Sequence, residues 1–209
     1  MRRTAGLVWV VIATSVSLFS CGETPSESTQ QASAMWQPIE EYLYPEIEPL
    51  RSGYLRVSEI HELYWEVCGI EQGVPLIVLH GGPGGSAGPR MRRFADPEIF
   101  KMVLFDQRGA GRSRPAAELR ENTTQTLIED INRLRDHLGV TGKAILLGGS
   151  WGSTLAVAYA EAHPELVAGL VLRGVFLGSK EEIDSFYHGG TRAFFPDNFA
   201  RLRSCLLYT

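Results

Sequence analysis

Between residues 54 and 172 the hydrophobic positions alternate between short unbroken runs and longer stretches with helical spacing. Residues 54–57 and 63–68 are rich in aromatic and β-branched side chains, and they predict an opening antiparallel hairpin. The run 76–79 (Leu-Ile-Val-Leu) is apolar at every position and closes on a glycine cluster, as expected of a strand buried on both faces. Residues 102–105 repeat that pattern and end at Asp106, residues 144–147 end at Gly148, and 166–172 form a further run of the same kind. Between these runs, Leu127, Ile131, Leu134 and Leu138 recur at steps of four, three and four, which is one face of a helix. Thr123 or Thr124 can cap its start, and Gly139 follows its end. A second helix is predicted over 151–162, where Ala156, Ala158 and Ala160 allow close approach to a sheet. Strands alternating with helices specify an α/β fold built on a doubly wound, mostly parallel sheet.

The start of the chain follows a different pattern. Arg2 and Arg3 precede a mostly apolar stretch over 7–19, too short for the roughly 20 residues that span a bilayer but suited to a signal peptide over 1–20. Leu18-Phe19-Ser20-Cys21 resembles the bacterial lipobox, in which the cysteine is acylated, although Phe19 is bulkier than the usual residue there. The alternative is an ordinary cleaved signal with an incidental cysteine. Residues 21–40 are polar and aperiodic, as expected of a flexible tether. The expected location is therefore the cell envelope, as a membrane-anchored lipoprotein with Cys21 as lipid anchor, or else the periplasm or exterior.

Composition narrows the choice. The chain has 209 residues, 44% hydrophobic and 21% charged, with a net charge of −4, and no basic segment stands out, which argues against a nucleic-acid partner. Its three cysteines, Cys21, Cys68 and Cys205, do not make a disulfide framework.

Candidate chemistry lies at the ends of the strand-like runs. Gly148-Gly149-Ser150-Trp151-Gly152 follows a buried strand and opens a helix, the context that a G-x-S-x-G nucleophile elbow requires. A serine on so sharp a turn is sterically strained, and glycines at positions 148 and 152 leave room for it. The turn raises the Ser150 hydroxyl above the sheet, and the helix N-terminus favours a developing oxyanion. His80-Gly81-Gly82-Pro83-Gly84-Gly85 follows another strand. In the α/β-hydrolase fold that loop and the residue after the nucleophile each give one oxyanion-hole amide, which points to the N–H groups of Gly82 and Trp151. His80, Gly81 and Pro83 belong to the same loop, with His80 in a structural role at the strand end. A phosphate-binding loop is the rival reading, but no Lys-Ser or Lys-Thr follows the glycines and no G-x-G-x-x-G is present. Residues 106–113 (Asp-Gln-Arg-Gly-Ala-Gly-Arg-Ser) either shape the site floor or form a hydrogen-bonded turn in which Asp106 and Arg108 satisfy backbone groups.

Together, the motifs at 80–85, 105–113 and 148–154 resemble those of the proline iminopeptidases (prolyl aminopeptidases). Asn122-Thr123-Thr124, Ala158-Tyr159, His163-Pro164-Glu165, Leu172-Arg173-Gly174, Phe186-Tyr187 and Phe194-Phe195-Pro196 fit the same pattern. The similarity runs from about residue 43 to 202. It implies a serine peptidase that removes N-terminal proline from peptides without metal or cofactor. It also implies a hydrolase core over 41–178 and the beginning of a helical cap over 179–204. An esterase or lactonase, or a non-catalytic binding lipoprotein of the same fold, are the alternatives.

In this fold the acid and then the histidine follow the serine in chain order, after the cap. None of His61, His80, His137, His163 or His188 occupies that place, so the catalytic acid and base are expected beyond residue 209. The cap acids that would hold the substrate amine have no match here either. Residues 205–209 (Cys-Leu-Leu-Tyr-Thr) can be read as the translated end of a transposon used to fragment DNA, hence a non-native tail. The 209-residue chain by itself is expected to be inactive and poorly stable.

Overall fold

The computed structural model describes residues 42–206. The signal peptide, Cys21 and the tether expected over 1–40 lie outside the described residues, as do 207–209. No helix among the described residues is long and apolar enough to cross a membrane.

Strands β1 (Arg51–Arg56), β2 (Glu62–Gly69), β3 (Val74–Leu79), β4 (Phe100–Phe105), β5 (Ala144–Gly149) and β6 (Val167–Arg173) form one sheet in the order β1-β2-β4-β3-β5-β6. The opening hairpin β1–β2 is antiparallel and β2 also runs antiparallel to β4, whereas β4, β3, β5 and β6 are mutually parallel. The first parallel connection leads from β3 outward to β4, and the next returns across β3 to β5. The strand order therefore reverses between β3 and β5, and that reversal opens a crevice at their C-terminal ends.

The unbroken apolar runs serve two cores at once, because successive side chains point to opposite faces. Ile77, Leu79, Val103, Phe105 and Leu146 face helices α1 (Thr124–His137) and α2 (Trp151–Ala162), together with Ile131, Leu134, Leu155 and Tyr159. Leu76, Val78, Met102, Leu104 and Cys68 face the other side, where Ala87, Ala95 and a 3-10 turn over Pro89–Arg93 cover them. Cys68 is fully buried and free, and burial, with Glu66 nearby, pushes its thiol up to about 12.

Thr123 is the N-cap of α1 and closes a capping box with Thr126. Strand β6 departs from expectation. Its apolar run predicts burial on both faces, yet of its residues only Leu172 is buried and Val171 is exposed. The reason is position: β6 is the outermost strand of the described sheet and pairs on one side alone.

After β6 come short helices α3 (Lys180–Asp184), a π-helical turn (Ser185–Gly189), α4 (Gly190–Phe194) and α5 (Pro196–Leu206), with Phe195 as a break between the last two. Cys205 and Leu206 end α5.

Candidate active site

Ser150 sits between the last residue of β5 and the first of α2, at φ 54° and ψ −123°. That backbone geometry is rare for any residue with a Cβ and costs about 1–3 kcal/mol. The surrounding structure holds it in place. The Ser150 N–H donates to the Arg173 carbonyl of β6 at 2.9 Å, and the Ser150 carbonyl accepts from the Ser153 N–H at 2.8 Å and from the Ser153 hydroxyl at 2.6 Å. The Ser150 side chain is exposed and makes no capping hydrogen bond, so its hydroxyl is not consumed by the helix it precedes.

The two flanking glycines are sterically required. A Cβ at Gly148 would lie 2.2 Å from the Gly152 carbonyl oxygen, and one at Gly152 would lie 2.1 Å from that of Leu79. Such contacts are far inside any tolerated separation, so the elbow can pack against the end of β3 only without those side chains.

The glycine loop after β3 adjoins the elbow. Register pairs Leu79 with Gly148, which puts His80 and Gly81 level with Gly149 and Ser150. A Cβ at Gly81 would sit 2.9 Å from the Gly149 carbonyl oxygen and 3.3 Å from the Ser150 Cβ. Gly82 adopts φ +126°, a conformation that L side chains rarely adopt, and the Gly85 N–H closes the turn onto the Gly81 carbonyl at 3.2 Å. Pro83 follows Gly82 in this turn. Trp151 is the first residue of α2, so its N–H has no acceptor within the helix. Ser150, the glycine loop and the start of α2 thus converge at the β3/β5 crevice, where a carbonyl oxygen could meet backbone donors as a nucleophile attacks its carbon.

His80 is fully buried in a fixed tautomer. Its Nδ1–H donates to the Gly81 carbonyl at 2.9 Å, while Nε2 accepts from the Gln107 N–H at 3.0 Å. Burial, the largest influence, holds its basicity below the ordinary histidine value, and the Nε2 partner leaves no room for a second proton. His80 is therefore a neutral strut. The other described histidines are engaged elsewhere: His61 with the Arg120 carbonyl, His163 with Asn132, and His137 against the Trp65 ring. No described histidine side chain is hydrogen bonded to Ser150.

The 106–113 segment is mainly a structural turn, with one extension toward the site. Buried Asp106 accepts the N–H groups of Ala87 (2.6 Å) and Arg112 (2.8 Å) and the Arg112 Nε–H (2.8 Å). Arg108 does not serve backbone groups alone: it forms a two-pronged pair with buried Asp130 of α1, at 2.6 and 2.8 Å. Arg112 also reaches Glu66, which Arg92 grips from the other side through Nε and Nη2. Burial alone would raise the Glu66 carboxyl, but hydrogen bonds from Arg92 and Arg112 outweigh it and hold the group below the usual carboxylate range.

Two contacts of the site escape the sequence reading. The side chain of Gln107 bridges the His80 carbonyl and the Trp151 indole, both at 2.9 Å. Ser153 and Thr154, in the first turn of α2, clamp the backbone N–H and carbonyl of Phe176. A glutamine inside a glycine-rich turn and a serine one residue past the elbow are the only sequence signals for them. Phe176 lines an open, mainly apolar pocket of about 540 Å³ with Phe186, Phe194 and Phe195 of the segment after β6.

Comparison with known proteins agrees with this geometry. A family model described as alpha/beta hydrolase fold matches residues 74–209. The proline iminopeptidase of Arabidopsis thaliana is 55% identical over 164 residues, which is 78% of this chain and 43% of that protein. That of Xylella fastidiosa (strain Temecula1) is 52% identical over 159 residues, 76% of this chain and 50% of its own length. The chain thus spans about half the length of the curated relatives it matches. Among solved structures, a proline iminopeptidase-related protein from Thermus thermophilus superposes with a TM-score of 0.52 at 35% identity, covering 60% of this chain and 44% of that one. With the elbow, the glycine loop and the reversed strand order in place, the chain belongs to the alpha/beta hydrolase fold family.

Proposed function

We propose that the complete protein is a serine aminopeptidase that releases N-terminal proline from peptides. The observation that carries the reading is the strained, exposed Ser150 pressed against the glycine loop. Names of relatives at 50–55% identity supply the substrate class. In this reading the Ser150 Oγ attacks the prolyl carbonyl carbon, and the N–H groups of Gly82 and Trp151 receive the negative charge that moves onto the carbonyl oxygen. A base must take the Ser150 proton and return it to the leaving amine, and none of the described histidine side chains is hydrogen bonded to Ser150. Export with acylation at Cys21 belongs to the same proposal, with residues from 179 on as the beginning of the cap.

The test compares proline β-naphthylamide with short acyl esters as substrates of the complete protein, with Ser150→Ala as control. Hydrolysis of the prolyl amide at least 100-fold faster than that of any ester, lost in the variant, is the expected result. Esters turned over faster than the amide would assign an esterase instead.

A further inference from the structure

Gln107 makes three hydrogen bonds to two parts of the site from one buried position. Its backbone N–H meets His80 Nε2 at 3.0 Å, its side-chain N–H donates to the His80 carbonyl at 2.9 Å, and its Oε1 accepts the Trp151 indole N–H at 2.9 Å. His80 precedes the glycine loop, and Trp151 begins α2. Gln107 belongs to neither element, since it follows β4. The side-chain amide therefore spans the crevice beneath the two segments whose backbone N–H groups are the proposed oxyanion donors. Donor and acceptor ends are both satisfied, and the network is buried at His80 and Gln107, where such hydrogen bonds are strongest.

We infer that Gln107 is a positioning residue that fixes the spacing between the Gly82 and Trp151 amides by clasping His80 to the Trp151 indole. The inference rests on the proposed serine chemistry and adds to it a residue that need not touch substrate. Its chemistry makes a definite demand. The position needs one donor toward the His80 carbonyl and one acceptor toward the indole. A neutral carboxylic acid satisfies both and a carboxylate only the second, because two oxygens would then face each other.

Gln107→Glu in the complete protein converts the clasp into a pH-dependent one. The readout is the rate at which a fluorophosphonate phosphonylates Ser150, a step in which the serine oxygen bonds to phosphorus, its proton passes to the catalytic base and fluoride leaves. This rate reports nucleophile and oxyanion hole whatever the peptide specificity. Relative to wild type at the same pH, the variant is expected to react 10- to 100-fold more slowly at pH 8 and within about 3-fold at pH 5. A ratio that is the same at both pH values overturns the inference.

Trp151→Phe removes only the indole donor and is the milder variant. It is expected to lower the labelling rate and kcat by about 3- to 10-fold while KM stays within 2-fold, and unchanged rates overturn the inference. Wild-type protein that the probe does not label overturns instead the serine-hydrolase reading beneath it.

Discussion

Ser150 stores backbone strain that a residue without a Cβ would not feel. Replacing it with glycine keeps φ 54° accessible and removes the clash, so Ser150→Gly is expected to raise stability by about 1–2 kcal/mol while abolishing probe labelling. Urea unfolding of both proteins measures the gain, and a loss of stability would mean that the elbow is relaxed. This strain is legible in the sequence as Gly-Gly-Ser-Trp-Gly, since only steric crowding calls for glycine at 148 and 152. The Gln107 bridge is less legible, because a glutamine in a turn carries no periodicity and its partners lie 27 and 44 residues away. Arg108 is legible only in part: the sequence marks a turn there, while its partner Asp130 sits on the buried side of α1 and looks like one more polar helix residue.

At the scale of elements, α1 is held at its start and along its buried face by different means. The Thr123–Thr126 box satisfies backbone groups at its first turn, so Thr123→Ala should cost about 1 kcal/mol in thermal or urea unfolding. The Arg108–Asp130 pair is buried on both sides and ties α1 to the turn after β4. Asp130→Ala leaves that buried guanidinium with only the Glu121 carbonyl and the more distant Glu121 carboxylate, and should cost about 3 kcal/mol. The double change Arg108→Met with Asp130→Leu should recover most of that loss, and failure to recover would show that the pair contributes more than its own neutralisation. Helix positions are readable because their apolar spacing is set by packing on the sheet. Strand ends extend beyond the apolar runs, since polar residues such as Arg51, Glu62 and Arg173 continue the backbone ladder. The exposure of β6 is not readable, because composition reports what a strand can bury and not what lies beside it.

Across the whole molecule, acid should loosen the fold from two directions. The Glu66 carboxyl is held below its ordinary value of 4.5, so its contribution is present above that value and is lost as pH falls through the lowered one. His80 is buried neutral, with its basicity below the ordinary 6.5, so the unfolded chain takes up protons first as pH falls below 6.5 and stability drops there too. Urea midpoints measured between pH 8 and 3 should fall in two stages, and Glu66→Gln should flatten the lower stage. Midpoints independent of pH would remove both groups from the account. Fold class is readable from alternation alone, and the nucleophile with its glycine loop from local motifs. The acid network is not, although a glutamate amid the apolar residues of β2 is a hint that its charge must be met inside.

The thiol of Cys68 lies on β2 among Leu76, Met102 and Leu104, shielded from water and almost never ionised at neutral pH. Alkylating reagents that need a thiolate should pass it by for as long as β2 stays seated against β4. It thereby serves as a built-in clock for sheet opening: the rate at which the Cys68 peptide gains mass in iodoacetamide measures how often the β1–β2 side of the sheet comes away from β4.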